Sequence, residues 1–421
     1  MANIRDALRE TNPWWESGFN LRIKDREVYQ QVQKFMPMRQ IIALTGLRRV
    51  GKTFLLYKIV EDSIKKGFKP HNILYFSFDD FREINIREIV KEYQDILEKD
   101  IKKGYYLFLF DEIQKLTNWE EQLKRIYDNF GNIKIVISGS ESLFLRKKSK
   151  ESLAGRLFEF KVEPLSFREF LSFKGIEYKP IGLYEDKLRK LFNNFVLSLG
   201  FPELVDISEK EIIKKYVKES IVEKIIYRDF SYLFKVKNVS LIESLLNIFI
   251  EEPGQLIEID KLAGELKISR QTLSNYLSYL EESFLLQKLY NFSRSRRKVE
   301  RKLKKYYPAV VSIDLVFRDD ELSRSKVFEW FVVQKLKAEF FWRDPYKNEV
   351  DVILSNKNPI PIEIKYRKID ISGLLKFMEK FRVNKGYVIT YNMGEEKRID
   401  GKKIVIIPAY KFLLGMDELL Q

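Results

Sequence analysis

The stretch Ile41-Ile42-Ala43-Leu44-Thr45-Gly46-Leu47-Arg48-Arg49-Val50-Gly51-Lys52-Thr53 decides how the N-terminal part of the chain folds. A short apolar run ends at Gly46, and a second glycine, Gly51, directly precedes Lys52 and Thr53. Phe54, Leu55, Tyr57, Lys58, Val60 and Ile64 then follow at helical spacing. Gly-x-x-x-x-Gly-Lys-Thr between a strand and a helix is the pattern of a phosphate-binding P-loop. Its glycines let backbone N–H groups wrap a β-phosphate, and the helix N-terminus adds the positive end of its dipole. Lys52 is expected to reach the β- and γ-phosphates and the Thr53 hydroxyl to ligate Mg²⁺. Gly46, Arg48, Arg49, Val50, Gly51 and Phe54 complete the expected ATP-contacting set.

Working outward, Ile73–Phe78, Tyr105–Phe110 and Lys134–Ser138 are further β-rich runs, apolar on both faces. Such strands belong to a covered parallel sheet, and the amphipathic segments between them make this a doubly wound α/β domain. The run Tyr106–Phe110 delivers Asp111 and Glu112 to the sheet's C-terminal edge. There Asp111 can hold Mg²⁺ through water, and Glu112 can orient or deprotonate the attacking water. Ser138-Gly139-Ser140 ends the next strand, and Ser140 is a candidate for touching the γ-phosphate or that water. Arg156 is a candidate charge-stabilising finger for its own or a neighbour's site.

The composition narrows the chemistry. The chain has 421 residues, a length of about three domains. Hydrophobic residues make up 45% and charged residues 33%, enough for a packed core. There is no cysteine, which excludes disulfides, thiol nucleophiles and Cys-ligated metals. The single histidine, His71, excludes a multi-His centre, so any metal must sit on oxygen ligands, as Mg²⁺ or Mn²⁺ do. A net charge of +15 favours polyanion partners, although a lysine-rich thermophile proteome has the same balance. No apolar run approaches the roughly 18–20 residues of a membrane helix, and the start is polar. A soluble, cytoplasmic protein with no membrane partner is expected.

Residues ~160–250 read as mostly helical. Glu258–Leu289 reads as a helix-turn-helix: Asp260 caps a helix through Lys267, and Ser269 caps a second one. Leu273, Tyr276, Leu277 and Leu280 face inward on that second helix. Arg270, Gln271, Ser274, Asn275 and Ser278 face out, as short groups suited to base edges and phosphates. Lys288 to Lys305 follows with Arg294, Arg296, Arg297, Lys298, Arg301, Lys302 and Lys304, the composition of a wing crossing a phosphate backbone. DNA is the expected partner.

Near the C-terminus, Glu329 lies on a helix, Val327–Lys337, and Asp351 enters the apolar run Val350–Leu354. Glu363 and Lys365 alternate with isoleucines in the next strand and so share one face. Asp351 beside Glu363 would make an acidic pocket for Mg²⁺ or Mn²⁺, with Lys365 activating a water. This order resembles the PD-(D/E)XK nuclease fold, and Trp342-Arg343 and Asn348-Glu349-Val350-Asp351 carry the likeness further. The glutamine often found on the following helix has no counterpart in Ser372–Arg382.

Across nearly the whole chain the sequence resembles the archaeal and bacterial DEXX-box ATPases, a branch of the AAA+ class near the STAND ATPases. Leu47–Thr53, Asp111-Glu112-Ile113-Gln114-Lys115, Gly139-Ser140, Leu153–Arg156, Pro164–Phe170 and Gly200-Phe201-Pro202 carry the resemblance. It implies an α/β architecture: a P-loop AAA+-type ATPase domain with helical lid, winged helix and C-terminal PD-(D/E)XK-like domain. The expected boundaries are 1–165, 166–250, 251–318 and 319–421. Three readings stay open: an ATPase that cuts DNA, a nucleotide-operated switch or scaffold with an inactive nuclease-like domain, and a DNA translocase. A homo-oligomer is a further expectation, by AAA+ analogy.

Overall fold

The computed structural model describes residues 3–21, 24–81, 83–139, 153–224, 238–295, 297, 299, 302–355 and 358–419. They form two compact units, Met1–Pro164 and Leu165–Gln421. The expected boundaries at 250 and 318 fall inside the second unit. Among the described residues, no helix is long and apolar enough to cross a membrane.

The first unit is a sheet of β1 (Ile41–Thr45), β2 (Ile73–Ser77), β3 (Tyr106–Asp111), β4 (Ile133–Gly139) and β5 (Leu157–Lys161). The strands lie in the order β2-β3-β4-β1-β5 and every pairing is parallel. All residues of β1 and β3 are buried, as helices on both faces require. The helices are α1 (Ile4–Thr11), α2 (Glu27–Phe35), α3 (Lys52–Lys65), α4 (Ile86–Leu97) and α5 (Trp119–Asn129). Edge strand β2 is covered by the segment after α1. Asn12 exchanges hydrogen bonds with Tyr75, its Oδ1 accepting from the amide at 2.7 Å and its Nδ2 donating to the carbonyl at 2.9 Å. The Trp15 indole donates to Ile73 O at 2.8 Å, so groups an open edge would leave unpaired are used.

The second unit has helices α6 (Phe167–Phe173), α7 (Glu185–Leu197), α8 (Lys210–Lys215), α9 (Val239–Glu251), α10 (Ile259–Glu265), α11 (Arg270–Glu282), α12 (Glu321–Lys335), α13 (Ser372–Phe381) and α14 (Ala409–Leu419). Its strands are β6 (Gln255–Ile257), β7 (Leu286–Asn291), β8 (Lys304–Pro308), β9 (Phe340–Arg343), β10 (Glu349–Leu354), β11 (Ile360–Lys365), β12 (Lys385–Thr390), β13 (Glu395–Ile399) and β14 (Lys402–Pro408). They form one mixed sheet, ordered β13-β14-β12-β11-β10-β9-β7-β8-β6. The parallel pairing of β7 with β9 makes it continuous across residue 318. Trp342, Val350, Leu374, Phe377, Met378 and Val388 pack a core between this sheet and α13. Gly373 allows that approach: a Cβ there would lie 2.1 Å from the Glu349 carbonyl oxygen.

Candidate functional site

The loop after β1 is held from several sides. At Gly46, with φ 154°, a Cβ would meet the Val162 carbonyl oxygen at 2.1 Å, so only glycine fits. Gly51, at φ 96°, starts α3 in a left-handed conformation, and Arg49 also has positive φ. Lys52 is buried and donates to the Gly46 and Leu47 carbonyls, each at 2.9 Å, which lays its ammonium over the loop. The sequence reading did not single out Arg26. Its buried guanidinium donates to Val50 O at 2.7 Å and Glu163 O at 2.6 Å, tying the loop to the segment after β5. A lone arginine before a helix carries no signal of such a role. Phe54 is 61% exposed.

Because β4 lies between β1 and β3, the ends of those two strands bracket a gap in which side chains can meet. Thr53 Oγ1 donates to Asp111 Oδ2 at 2.7 Å. Tyr75 OH donates to the same oxygen at 3.0 Å, and the Ser138 hydroxyl donates to Oδ1. The Glu112 amide also points at Asp111 Oδ1, 3.1 Å away. Burial first, then the Asp111 charge, pushes the Tyr75 phenol far up, so it stays a donor. Glu112 has positive φ, 52°, and its Oε2 accepts from Gln114 Nε2 at 2.6 Å. Gln114 is buried and its Oε1 has no hydrogen-bond partner.

Ser140 lies outside the described residues; the hydroxyl seen against Asp111 is that of Ser138. Arg156 does not reach this chain's own loop. It precedes Leu157, which pairs with Ile41 at the start of β1, whereas the loop follows Thr45 at the other end. That is roughly 16 Å of extended chain, and the guanidinium pairs with Asp128 at 2.9 Å.

In the second unit the structure brings Glu329, Asp351, Glu363 and Lys365 together. Strands β10 and β11 are antiparallel with Val352 opposite Ile362, a register that continues to Asp351 opposite Glu363. The Ile364 amide donates to Asp351 Oδ2 at 2.8 Å. Lys365 Nζ lies 2.6 Å from Glu363 Oε1 and 4.0 Å from Asp351 Oδ2. A further cation enters from β8, where Lys305 Nζ reaches Glu329 at 2.9 Å, Glu349 at 3.0 Å and Asp351 at 3.9 Å. Tyr307, two residues on and so on the same face, donates to Glu329 Oε1 at 2.7 Å. Burial and the Glu329 charge push the Asp351 carboxyl up to about 6. Burial and the Asp351 charge also raise the Glu363 carboxyl, well above its usual range. For Glu329 burial acts the other way, but Lys305 and Tyr307 outweigh it and hold the carboxyl below its usual range.

The expected Mg²⁺ or Mn²⁺ pocket therefore does not fit: ammonium groups stand among its ligands. Among the described residues, no group of three or more His, Asp or Glu is arranged to hold a metal ion. Lys305 was read as part of a phosphate-facing run. The signal against that was its place at the head of the apolar stretch Tyr306–Val311.

On the expected DNA-facing elements, Ser269 does cap α11, accepting from the Thr272 amide, and Leu273, Leu277 and Leu280 are buried. Tyr276 is only partly so. The preceding helix starts at Ile259 after Glu258, which makes no side-chain cap, and ends at Glu265. Asp260 pairs instead with Arg270 at 3.0 Å. Arg270, Gln271 and Asn275 are exposed and Ser274 and Ser278 are half-buried. Gln271 and Asn275 hydrogen-bond each other at 2.9 Å. In the basic run, Lys288 pairs with Glu281 at 2.5 Å, and Arg294 donates to the Phe381 carbonyl at 3.0 Å. Arg297 is exposed, and Arg296, Lys298 and Arg301 lie outside the described residues.

Against known proteins, the chain is 30% identical over 425 residues to uncharacterized protein MJ1544 of Methanocaldococcus jannaschii. The alignment covers 94% of this chain and 93% of that protein. The chain belongs to the MJ1544 family. MJ1637 of the same organism is 28% identical, over 91% of this chain and 87% of its own length. A Haemophilus influenzae protein is 29% identical, over 62% and 66%. Within this family member, residues 38–171 match the AAA domain, so β1, α3, β3 and β4 are the parts of an AAA-type P-loop ATPase domain. Residues 189–313 and 324–412 match domains of unknown function, DUF8612 and DUF4143, the first containing α11 and the second the acid cluster. Cdc6p from Pyrobaculum aerophilum aligns at TM-score 0.31 and 12% identity, over 75% of this chain and 97% of that one. A STAND protein from Pyrococcus horikoshii aligns at 0.28 and 14%, over 77% and 47%. Both scores are too low to place the chain with either.

Proposed function

We propose that the chain is a Mg²⁺-dependent ATPase whose nucleotide state operates a non-cleaving DNA-binding scaffold. The observation that carries the ATPase reading is the Thr53–Asp111 hydrogen bond, which joins the loop to the acid at the end of β3. Asp111 already collects four donors, the chemistry of a carboxylate that orders the ligands of a hard cation. Thr53 and Asp111 would hold Mg²⁺, which when bound neutralises phosphate charge. Lys52 supplies a positive charge over the loop, and Arg26 and Gly46 hold its backbone in shape. Glu112 is the base for the attacking water, and its bond to Gln114 fixes where that carboxylate waits.

In this reading residues 166–250 form a lid, 251–318 read DNA and 319–421 are a scaffold. The exposed Arg270, Gln271 and Asn275 of α11, with Arg297, support the DNA contact. The tethered ammonium groups among the C-terminal acids favour a scaffold over a nuclease.

The test is kinetic. Lys52→Ala should abolish ATP binding, whereas Glu112→Gln should retain ATP and turn over about 10²–10⁴-fold more slowly. Normal turnover by Glu112→Gln would remove Glu112 from its role. A Mg²⁺ or Mn²⁺ assay on plasmid and branched DNA should show no cleavage that depends on Lys365; cleavage lost in Lys365→Ala would reinstate the nuclease.

A further inference from the structure

We infer that Gln271 reads one base edge in the major groove of duplex DNA and selects adenine, with Asn275 as the residue that fixes this choice. The inference rests on the DNA-binding reading of α11 above and adds its base specificity.

Leu273, Leu277 and Leu280 hold one side of α11 in the fold, which turns Gln271 and Asn275 outward, where both are exposed. Gln271 is the second residue of the helix, and a helix in the major groove contacts base edges with its N-terminal residues. The B-form groove admits an α-helix, whereas side chains cannot read the deep, narrow groove of duplex RNA. Of the other outward groups, Arg270 is drawn back to Asp260 at 3.0 Å, and the Ser278 hydroxyl donates to Glu282 at 2.9 Å. Gln271 is then the longest uncharged side chain pointing out at this end of α11.

The two amides lie one turn apart and are joined: Gln271 Nε2 donates to Asn275 Oδ1 at 2.9 Å. This bond uses one of the two Gln271 N–H groups and fixes which way the amide lies. What remains on the Gln271 edge is one acceptor, Oε1, beside one N–H donor. In the major groove adenine offers an N6–H donor beside the N7 acceptor, so both groups of the amide are satisfied. Guanine offers two acceptors, O6 and N7, and would set O6 against Oε1. Reading guanine takes two donors, and Asn275 holds one of the two that Gln271 has. Cytosine and thymine each offer a single hydrogen-bonding group there, so half of the amide stays unpaired. The brace also restricts the Gln271 side chain before binding, which lowers the cost of ordering it.

The experiment is a selection from a randomised duplex DNA pool by the full chain, followed by fluorescence anisotropy on the enriched duplexes. Wild type, Gln271→Ala, Gln271→Lys and Asn275→Ala are compared at one salt concentration; all three substitutions fall on exposed positions, so the fold is kept. Wild type should enrich a site with one required adenine, and replacing that base should weaken binding roughly 5–150-fold, the discrimination of a good bidentate contact. Gln271→Ala should lose that requirement alone and keep its affinity for mixed-sequence DNA. Gln271→Lys should move the requirement to guanine, which offers two acceptors to an ammonium. Asn275→Ala should admit guanine beside adenine, because the second Gln271 N–H is released. Wild type that binds duplex DNA yet enriches no adenine position overturns the inference and leaves the DNA reading standing. So does a Gln271→Ala pool that requires the same adenine. A wild type that does not bind duplex DNA at low salt overturns the DNA reading, and this inference with it.

Discussion

Around Asp111 one carboxylate is the meeting point of four donors, from two strands, a helix and the residue that follows β3, so single atoms matter. Tyr75→Phe removes only the phenolic donor. It should cost about 1 kcal/mol in Mg²⁺·ATP affinity or turnover, with the melting temperature nearly unchanged. Isothermal titration beside steady-state kinetics checks this. Gly46→Ala acts on shape. Its methyl would press into the Val162 carbonyl, 2.1 Å away, and the loop must shift. Loss of nucleotide binding together with a lower melting temperature is expected. Glu112 and Lys52 were legible from their neighbours in sequence, because a P-loop and a strand-end acid are local patterns. Tyr75 and Arg26 were not, since nothing within a few residues marks them and only packing aims them at the site.

At the scale of elements, α3 carries the loop and also a buried acid, Glu61, which is 2% exposed on its inner side. Lys58 and Lys65 pair with it at 3.2 and 3.0 Å. Burial opposes its ionisation, but these ammonium groups outweigh it and hold the carboxyl below its usual value of 4.5. A folded pKa below the unfolded one gives stability that is fully present above pH 4.5 and is lost as pH falls through the folded value. Glu61→Gln should therefore lower stability at neutral pH and flatten the acid limb of a melting-temperature profile. At α6 Ser166 and Glu169 form a complete capping box, and Ser166→Ala should cost about 1 kcal/mol by denaturant titration. The start of α10 was misread, since Asp260 is used by Arg270 rather than as a cap.

For the whole molecule, the sheet's ends decide which residues can work together. Arg156 sits at the end of β5 remote from the loop and is tied to Asp128. Arg156→Ala should cost no more than about 1 kcal/mol of stability, as exposed ion pairs do. Specific ATPase activity is expected to stay flat with protein concentration; a rise that Arg156→Ala abolishes would assign the arginine to a neighbouring copy. For DNA, Arg270→Ala and Arg297→Ala should each weaken duplex binding across sequences and lower the salt slope by about 1. A slope unchanged in both would remove α11 from the interface.

By itself the sequence determined what short-range physics controls. Two-faced apolar runs became β1 to β4, the glycine pattern became a loop at a helix start, and alternation put Glu363 and Lys365 on one face. Each depends on residues within a turn or a strand of one another. Tertiary structure alone decided the partners. It sent Lys305 out of a presumed DNA-facing run into the acid cluster, and it set Arg156 at the end of β5 remote from the loop. It also joined residues on either side of 318 through β7 and β9. Those outcomes turn on strand order and register, which follow from packing the whole sheet and leave no mark on the residues nearby.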